Sequence, residues 1–231
     1  MVGATNIFRN ISRLPPEYQE VQYVYNAEGR KPLTYRTWQS GCNESLYESD
    51  LEVYLKFMIP SKKHDNSSNA YNGTVCILGG SGRLATSSSV TYIGYNSSSY
   101  LYYGMGYYYA EMPGDAIAFT RDSVISAVWN DSNHRCYQNN TLVCTLEYLP
   151  TSGSWELYDQ NHGSETDFLQ LRYYSLTFKN HSGTVLADFV PCYRKSDNKP
   201  GFYELVYGDF TPCVEYYSSD GSEPWMCGPN K

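Results

Sequence analysis

Glu48, Asp50 and Glu52 alternate in the stretch YESDLEVYLKF. On an extended strand such residues leave from one face, so three carboxyls would sit in a row. Paired carboxylates on a sheet can cut a glycosidic bond, one attacking and one donating a proton, and a retaining enzyme needs them ~5–5.5 Å apart. The Cα atoms of Glu48 and Glu52 would lie about 13 Å apart at ~3.3 Å per residue, so their side chains would have to converge strongly. A solvated polar face is the plainer reading, with Glu48, Asp50 and Glu52 kept as the catalytic alternative.

A second chemistry is offered by tyrosine. The chain holds 25 of them, and they crowd into YNSSSYLYYGMGYYY at 95–109. Tyrosine among Ser, Gly and Asn is the composition of binding loops, combining rigid amphipathic area with adaptable hydrogen bonding. As a strand, YLYYGMG puts Tyr100 and Tyr102 on one face and Leu101 and Tyr103 on the other. Tyr107, Tyr108 and Tyr109 then run into a loop and are candidate contacts, with Trp129 and Trp155 as further platforms for a ligand.

Other signals are weaker. Gly80, Gly82 and Ala85 follow a strand in the spacing of a dinucleotide fingerprint, but SSSVTYIGY comes next and reads as strand, not as the helix such a site needs. His64, His134, His162 and His181 lack zinc-ligand spacing, and no metal site is assigned. Asp131, Asp159 and Asp167 could help to bind Ca²⁺, which prefers carboxylate and carbonyl oxygens. The seven cysteines, an odd number, show no CxxC pair. Cys136 and Cys144 flank an expected hairpin and could face each other; Cys213 and Cys227 could close a loop; most of the seven read as free thiols. Glycosylation sequons begin at Asn10, Asn43, Asn66, Asn72, Asn96, Asn130, Asn139 and Asn180, and polar turn chemistry accounts for them more simply.

The elements that must position these residues read as strands. Tyr, Val, Thr and Ile favour a half-buried pleated surface. In LEVYLKFMI (51–59), Leu51, Val53, Leu55, Phe57 and Ile59 fall on one face and Glu52, Tyr54 and Lys56 on the other. SVISAVW (123–129) sets Val124, Ser126 and Val128 against Ile125, Ala127 and Trp129. HRCYQNNTLVCTLEYL reads strand, Asn139-Asn140 turn, strand, because Asn tolerates the left-handed conformations of a tight hairpin. Further strands are expected at 74–80, 90–95, 100–106, 168–178 and 184–192. No helix of convincing length appears, which points to one all-β domain, a sandwich or barrel. The net charge of −7 argues against a nucleic-acid partner, and no apolar run is long enough to span a membrane. The start, MVGATNIFRNISRLPP, has no apolar core and does not read as a secretory signal.

LPPEYQEVQYVYNAEGR (14–30) resembles the "LPxGYxxLEYIxSxGxQ" opening of a laminin G-like family found in bacteriophages and gut Firmicutes. LRYYSLTFKNHSGTVLADFVPCYRKSDNKPGFYELVYGDF (171–210) is similar to that family's "DFVPCxRKSDGxxGlYD" close, while CILGGSGR and YLYYGMG occupy the places of two intervening strands. The resemblance implies a two-sheet antiparallel jelly-roll sandwich of the laminin G/concanavalin A-like type, with a jelly-roll domain at 14–210. Residues 1–13 would then be an N-terminal arm able to dock on a neighbouring subunit, and 211–231 a C-terminal tail. Asn198 replaces the family's usual Gly, and Cys213 and Cys227 are unusual. The expectation is a non-enzymatic virion structural or decoration protein with a lectin-like domain, adhering to host-surface or mucosal glycans and to other virion subunits, and able to form a homo-oligomer. A jelly-roll hydrolase or a secreted glycan-binding surface protein is the alternative. Laminin G-like domains sometimes hold Ca²⁺ at the rim, so calcium is the one cofactor considered.

Overall fold

The structure, a computed structural model, describes residues 13–26, 52–59, 75–80, 91–95, 100–105, 117–130, 135–145, 155–161, 171–213 and 225–231. Its strands, in chain order, begin with β1 (Tyr18–Glu20), β2 (Val24–Asn26), β3 (Glu52–Met58), β4 (Val75–Gly80), β5 (Thr91–Tyr95) and β6 (Tyr100–Met105). β7 (Ile117–Ala118), β8 (Val124–Asn130), β9 (Arg135–Gln138), β10 (Thr141–Thr145) and β11 (Trp155–Asn161) follow. The chain continues through β12 (Arg172–Lys179), β13 (Val185–Arg194), β14 (Lys199–Glu204), β15 (Asp209–Pro212) and β16 (Trp225–Cys227).

Among the described residues these strands form two antiparallel sheets, as expected. The larger has eleven strands in the order β10-β9-β8-β3-β12-β13-β14-β15, with β1, β2 and β16 attached beside β12 and β13; the smaller has five, ordered β11-β4-β5-β6-β7. The chain passes between the sheets at β3 to β4, β7 to β8, β10 to β11 and β11 to β12, the interleaving of a jelly roll. β4 and β5 pair antiparallel, so the glycine-rich stretch after Gly80 joins two neighbouring antiparallel strands and does not belong to a βαβ unit.

Alternation in β3 holds as read from the sequence. Val53, Leu55, Phe57 and Ile59 are buried, while Glu52, Tyr54 and Lys56 point outward. Register then lays out a continuous inner face. Leu55 lies opposite Ala127 of β8 and Leu176 of β12, Leu176 opposite Phe189 of β13, and Phe57 between Ile125 and Tyr173. All of these are at most 2% exposed, so the inner face carries a second layer. Each buried Leu, Ile or Phe among them stabilises the fold by roughly 1.5–3 kcal/mol relative to exposure.

The opposite face of β13 and β14 buries a smaller cluster of Leu14, Val190, Cys192 and Tyr203. Tyr18 packs there against Tyr203 and Phe210, with ring centroids 4.9 and 5.0 Å apart, and Arg194 lies over Phe210. The opening LPPEY segment therefore folds back on the DFVPCYRKSD hairpin. Gly201 is needed at its crossing point, since a Cβ there would meet the Thr211 carbonyl at 2.5 Å and the Phe210 ring at 2.7 Å. The hairpin turns carry residues in the left-handed region: Asn139 and Asn140 between β9 and β10, and Asn198 between β13 and β14.

Register places Cys136 opposite Cys144 across the β9–β10 hairpin, but no disulfide joins Cys136 to it. Cys227 is not disulfide-bonded either, so the expected Cys213–Cys227 closure is corrected. The reason is pairing: β16 joins β2, with Cys227 opposite Val24, and the Cys227 thiol points to the Cys192 carbonyl at 3.8 Å. Burial pushes the Cys192 thiol up to about 12 and that of Cys227 up to about 11, leaving both protonated near neutrality.

Candidate binding site

The outer face of the large sheet becomes aromatic where β3, β12, β2 and β16 meet. One row runs across all four: Met58 lies opposite Arg172, Arg172 opposite Tyr25, and Tyr25 opposite Met226. The next row, Phe57, Tyr173, Val24 and Cys227, has the opposite sense and belongs to the interior. Tyr23 lies one residue beyond Val24 and so shares the outer face with Tyr25.

Tyr174 reaches this face through a β-bulge. Tyr173 is opposite Phe57 and Ser175 is opposite Lys56, so two residues of β12 answer one step of β3. The extra residue is Tyr174, and a bulge of this kind re-aims a side chain. Its ring packs on Tyr23 with centroids 5.3 Å apart, and Tyr23 meets Tyr25 edge-on at 5.8 Å. The Tyr174 hydroxyl points to the Met58 sulfur at 4.0 Å, and Met58 is only 5% exposed although it belongs to the outer row. The Tyr25 hydroxyl donates to the sulfur of Met226, which stands exposed at the rim. Behind Tyr23 lies Gly228, where a Cβ would come within 2.7 Å of the ring.

Arg172 is the charged member. Its guanidinium carbon sits 4.8 Å from the Tyr23 ring centroid, a cation–π contact, and its charge acts on the Tyr174 hydroxyl. Burial raises the Tyr174 hydroxyl above its ordinary value, with Tyr23 adding to the rise and Arg172 opposing it. Arg13 and Lys231 pair with Glu20 and Arg194 with Asp197, while among the described residues Arg172 meets no carboxylate. The patch is thus three part-buried tyrosines around a guanidinium with spare donors.

The residues singled out from the sequence are placed differently. Glu52 heads β3 on the outer face, where the Tyr54 hydroxyl donates to it at 2.6 Å. Its neighbours across the strands are Lys179 and Asn130, not carboxylates, and the Lys179 ammonium lies over the Tyr54 ring. Glu48 and Asp50 lie outside the described residues, as do Tyr107, Tyr108, Tyr109, Asp131 and Asp167. Tyr100 and Tyr102 belong to β6, opposite Ala118 and Gly94, and Trp155 to β11, opposite Gly80. Trp129 belongs to β8 in the other sheet, opposite Val53 and Cys136, so pairing does not bring these four together. Among the described residues no three His, Cys, Asp or Glu converge as a metal site.

The patch escaped the sequence reading because its members are scattered through YQEVQYVYN, LRYYS and WMCG, none conspicuous alone. The available signal was Arg172 beside a tyrosine pair in a strand whose alternation breaks.

No family model and no curated protein matches the chain. Among solved structures it is similar to the native heptameric SAP-like pentraxin from Limulus polyphemus, at 10% sequence identity over 91% of this chain and 89% of that one, with a TM-score of 0.41.

Proposed function

We propose that this protein is a non-enzymatic, lectin-like component of a phage virion or cell surface, which adheres to glycans through the outer face of its large sheet. The observation that carries the reading is the patch of Tyr23, Tyr25 and Tyr174 around Arg172. Tyrosine faces accept the C–H side of a sugar ring, their hydroxyls and the guanidinium bond to its polar edge, and no bond-making group is required. The virion assignment rests on the resemblance of the 14–30 and 171–210 motifs.

A glycan array with the full chain, run with and without added calcium, tests the reading. Reproducible binding to one glycan class that is lost in Tyr23→Ala with Tyr174→Ala, at unchanged near-UV circular dichroism, is the expected outcome. Silence from a folded sample would overturn adhesion and leave an assembly role, with the tyrosines turned toward neighbouring subunits. Cleavage of a β-glucan that disappears in Glu52→Gln would instead establish the hydrolase.

A further inference from the structure

We infer that the ligand of this patch is an anionic saccharide, one whose carboxylate or sulfate is gripped by Arg172 while its ring lies against the tyrosines. The inference rests on the glycan-binding reading and specifies its chemistry.

Arg172 is where the chemistry departs from a neutral sugar site. Arg13, Lys231 and Arg194 each hold a carboxylate of this chain. Among the described residues Arg172 meets none, although it stands in a protein of net charge −7 with more acids than bases. One guanidinium face is against Tyr23, at 4.8 Å from its centroid, which leaves its edge uncommitted among the described residues. A guanidinium has five N–H donors in a planar fork, so donors remain at its edge for a partner in the ring plane. That fork matches the two oxygens of a carboxylate, or two of a sulfate, and such charge-assisted pairs are about twice as strong as neutral ones.

The surroundings also favour one anionic group over a polyanion held by field alone. Lys56 points outward two residues before Met58, but Lys179 is engaged over Tyr54 near Glu52. The patch therefore offers one oriented cation, not a basic stripe, and the overall negative charge opposes loose attachment of polyanions. Selectivity for acid must come from the fork of Arg172 itself.

The test compares polygalacturonic acid with its highly methyl-esterified form, which keeps the sugar ring and removes the charge. 3′-Sialyllactose is set against lactose, and chondroitin 4-sulfate against desulfated chondroitin. The full chain should bind the acid about 10- to 100-fold tighter than its uncharged partner in at least one pair, the range expected for one charge-assisted contact. The responding pair tells carboxylate from sulfate. Arg172→Gln should erase the difference while leaving residual affinity for the ring, and Arg172→Lys should restore part of it. Equal affinity for acid and uncharged forms, or an unchanged preference in Arg172→Gln, would overturn the inference and leave the glycan reading intact. Absence of binding to every member by folded protein would overturn both. The wild-type ester comparison decides the matter even if the Arg172 variants fold poorly.

Discussion

Single residues explain how the hairpins close. Asn139 and Asn140 have φ of 49° and 66°, a region most side chains enter at a cost of ~1–2 kcal/mol, and the Asn139 carboxamide also accepts the Ser126 amide. Asn140→Gly should leave the melting temperature unchanged or higher, whereas Asn140→Val should cost about 1–2 kcal/mol in denaturant unfolding. Asn198, with φ of 55°, fills a turn where the resembling family has Gly, and it does so as one of the few residue types that tolerate this conformation. These turns were legible because Asn advertises its backbone. Arg172 was not, because nothing local distinguishes a guanidinium facing three tyrosines from one facing solvent. Tyr54 supplies a pH test: burial first, and then its hydrogen bond to Glu52, push its hydroxyl from the ordinary 10 up to about 12. An acid raised on folding stabilises the fold below its unfolded value and loses that contribution as pH rises through its folded value. Stability should therefore decline between about 10 and about 12, and carbon-13 NMR of labelled tyrosine should show Tyr54 titrating earlier in Glu52→Gln.

Strands were legible wherever alternation was strict. In β3 and β8 the inward residues Val53, Leu55, Phe57, Ile125 and Ala127 are those the pattern selects, because one slip would carry all of them to the solvent face. β12 is less transparent. Unbroken alternation would put Arg172 and Tyr174 on the same side as Leu176 and Phe178, yet the latter two are fully buried and Arg172 faces out. The bulge at Tyr174 resolves the conflict, and it depends on pairing with β3, which lies more than a hundred residues away and has no local signature. Gly228, just past β16, plays a comparable part by leaving room for the Tyr23 ring. Gly228→Ala should cost about 1–3 kcal/mol in thermal unfolding through overpacking and should weaken glycan binding by tilting Tyr23. Unaltered affinity in that variant would remove Tyr23 from the site.

At the scale of the molecule, segments distant in sequence hold one another. Residues 225–231 lie along 20–26 through the β16–β2 pairing and the Val21–Asn230 bridge, and Glu20 accepts from Arg13 at 2.6 Å and Lys231 at 2.8 Å. Burial alone would raise the Glu20 carboxyl, but the two cations outweigh it and hold it below its ordinary value. A carboxylate depressed on folding stabilises above its unfolded value and loses that contribution as pH falls through its folded value. Glu20→Gln should thus cost about 1 kcal/mol at neutral pH, modest because both cations are half exposed, and the difference from wild type should vanish in acid. Chemical denaturation at pH 7 and again near pH 3 would check this; an equal deficit at both values would show that packing, not charge, accounts for Glu20.

The same pairing sets when the patch comes into being. Tyr25 and Met226 are 201 residues apart, yet they share one contact at the rim. A nascent chain that has emerged only as far as Tyr174 already carries three tyrosines and the guanidinium, but neither the strand that flanks Tyr25 nor the glycine that backs Tyr23. The patch is therefore complete only after residues 225–228 have been synthesised and have paired with β2.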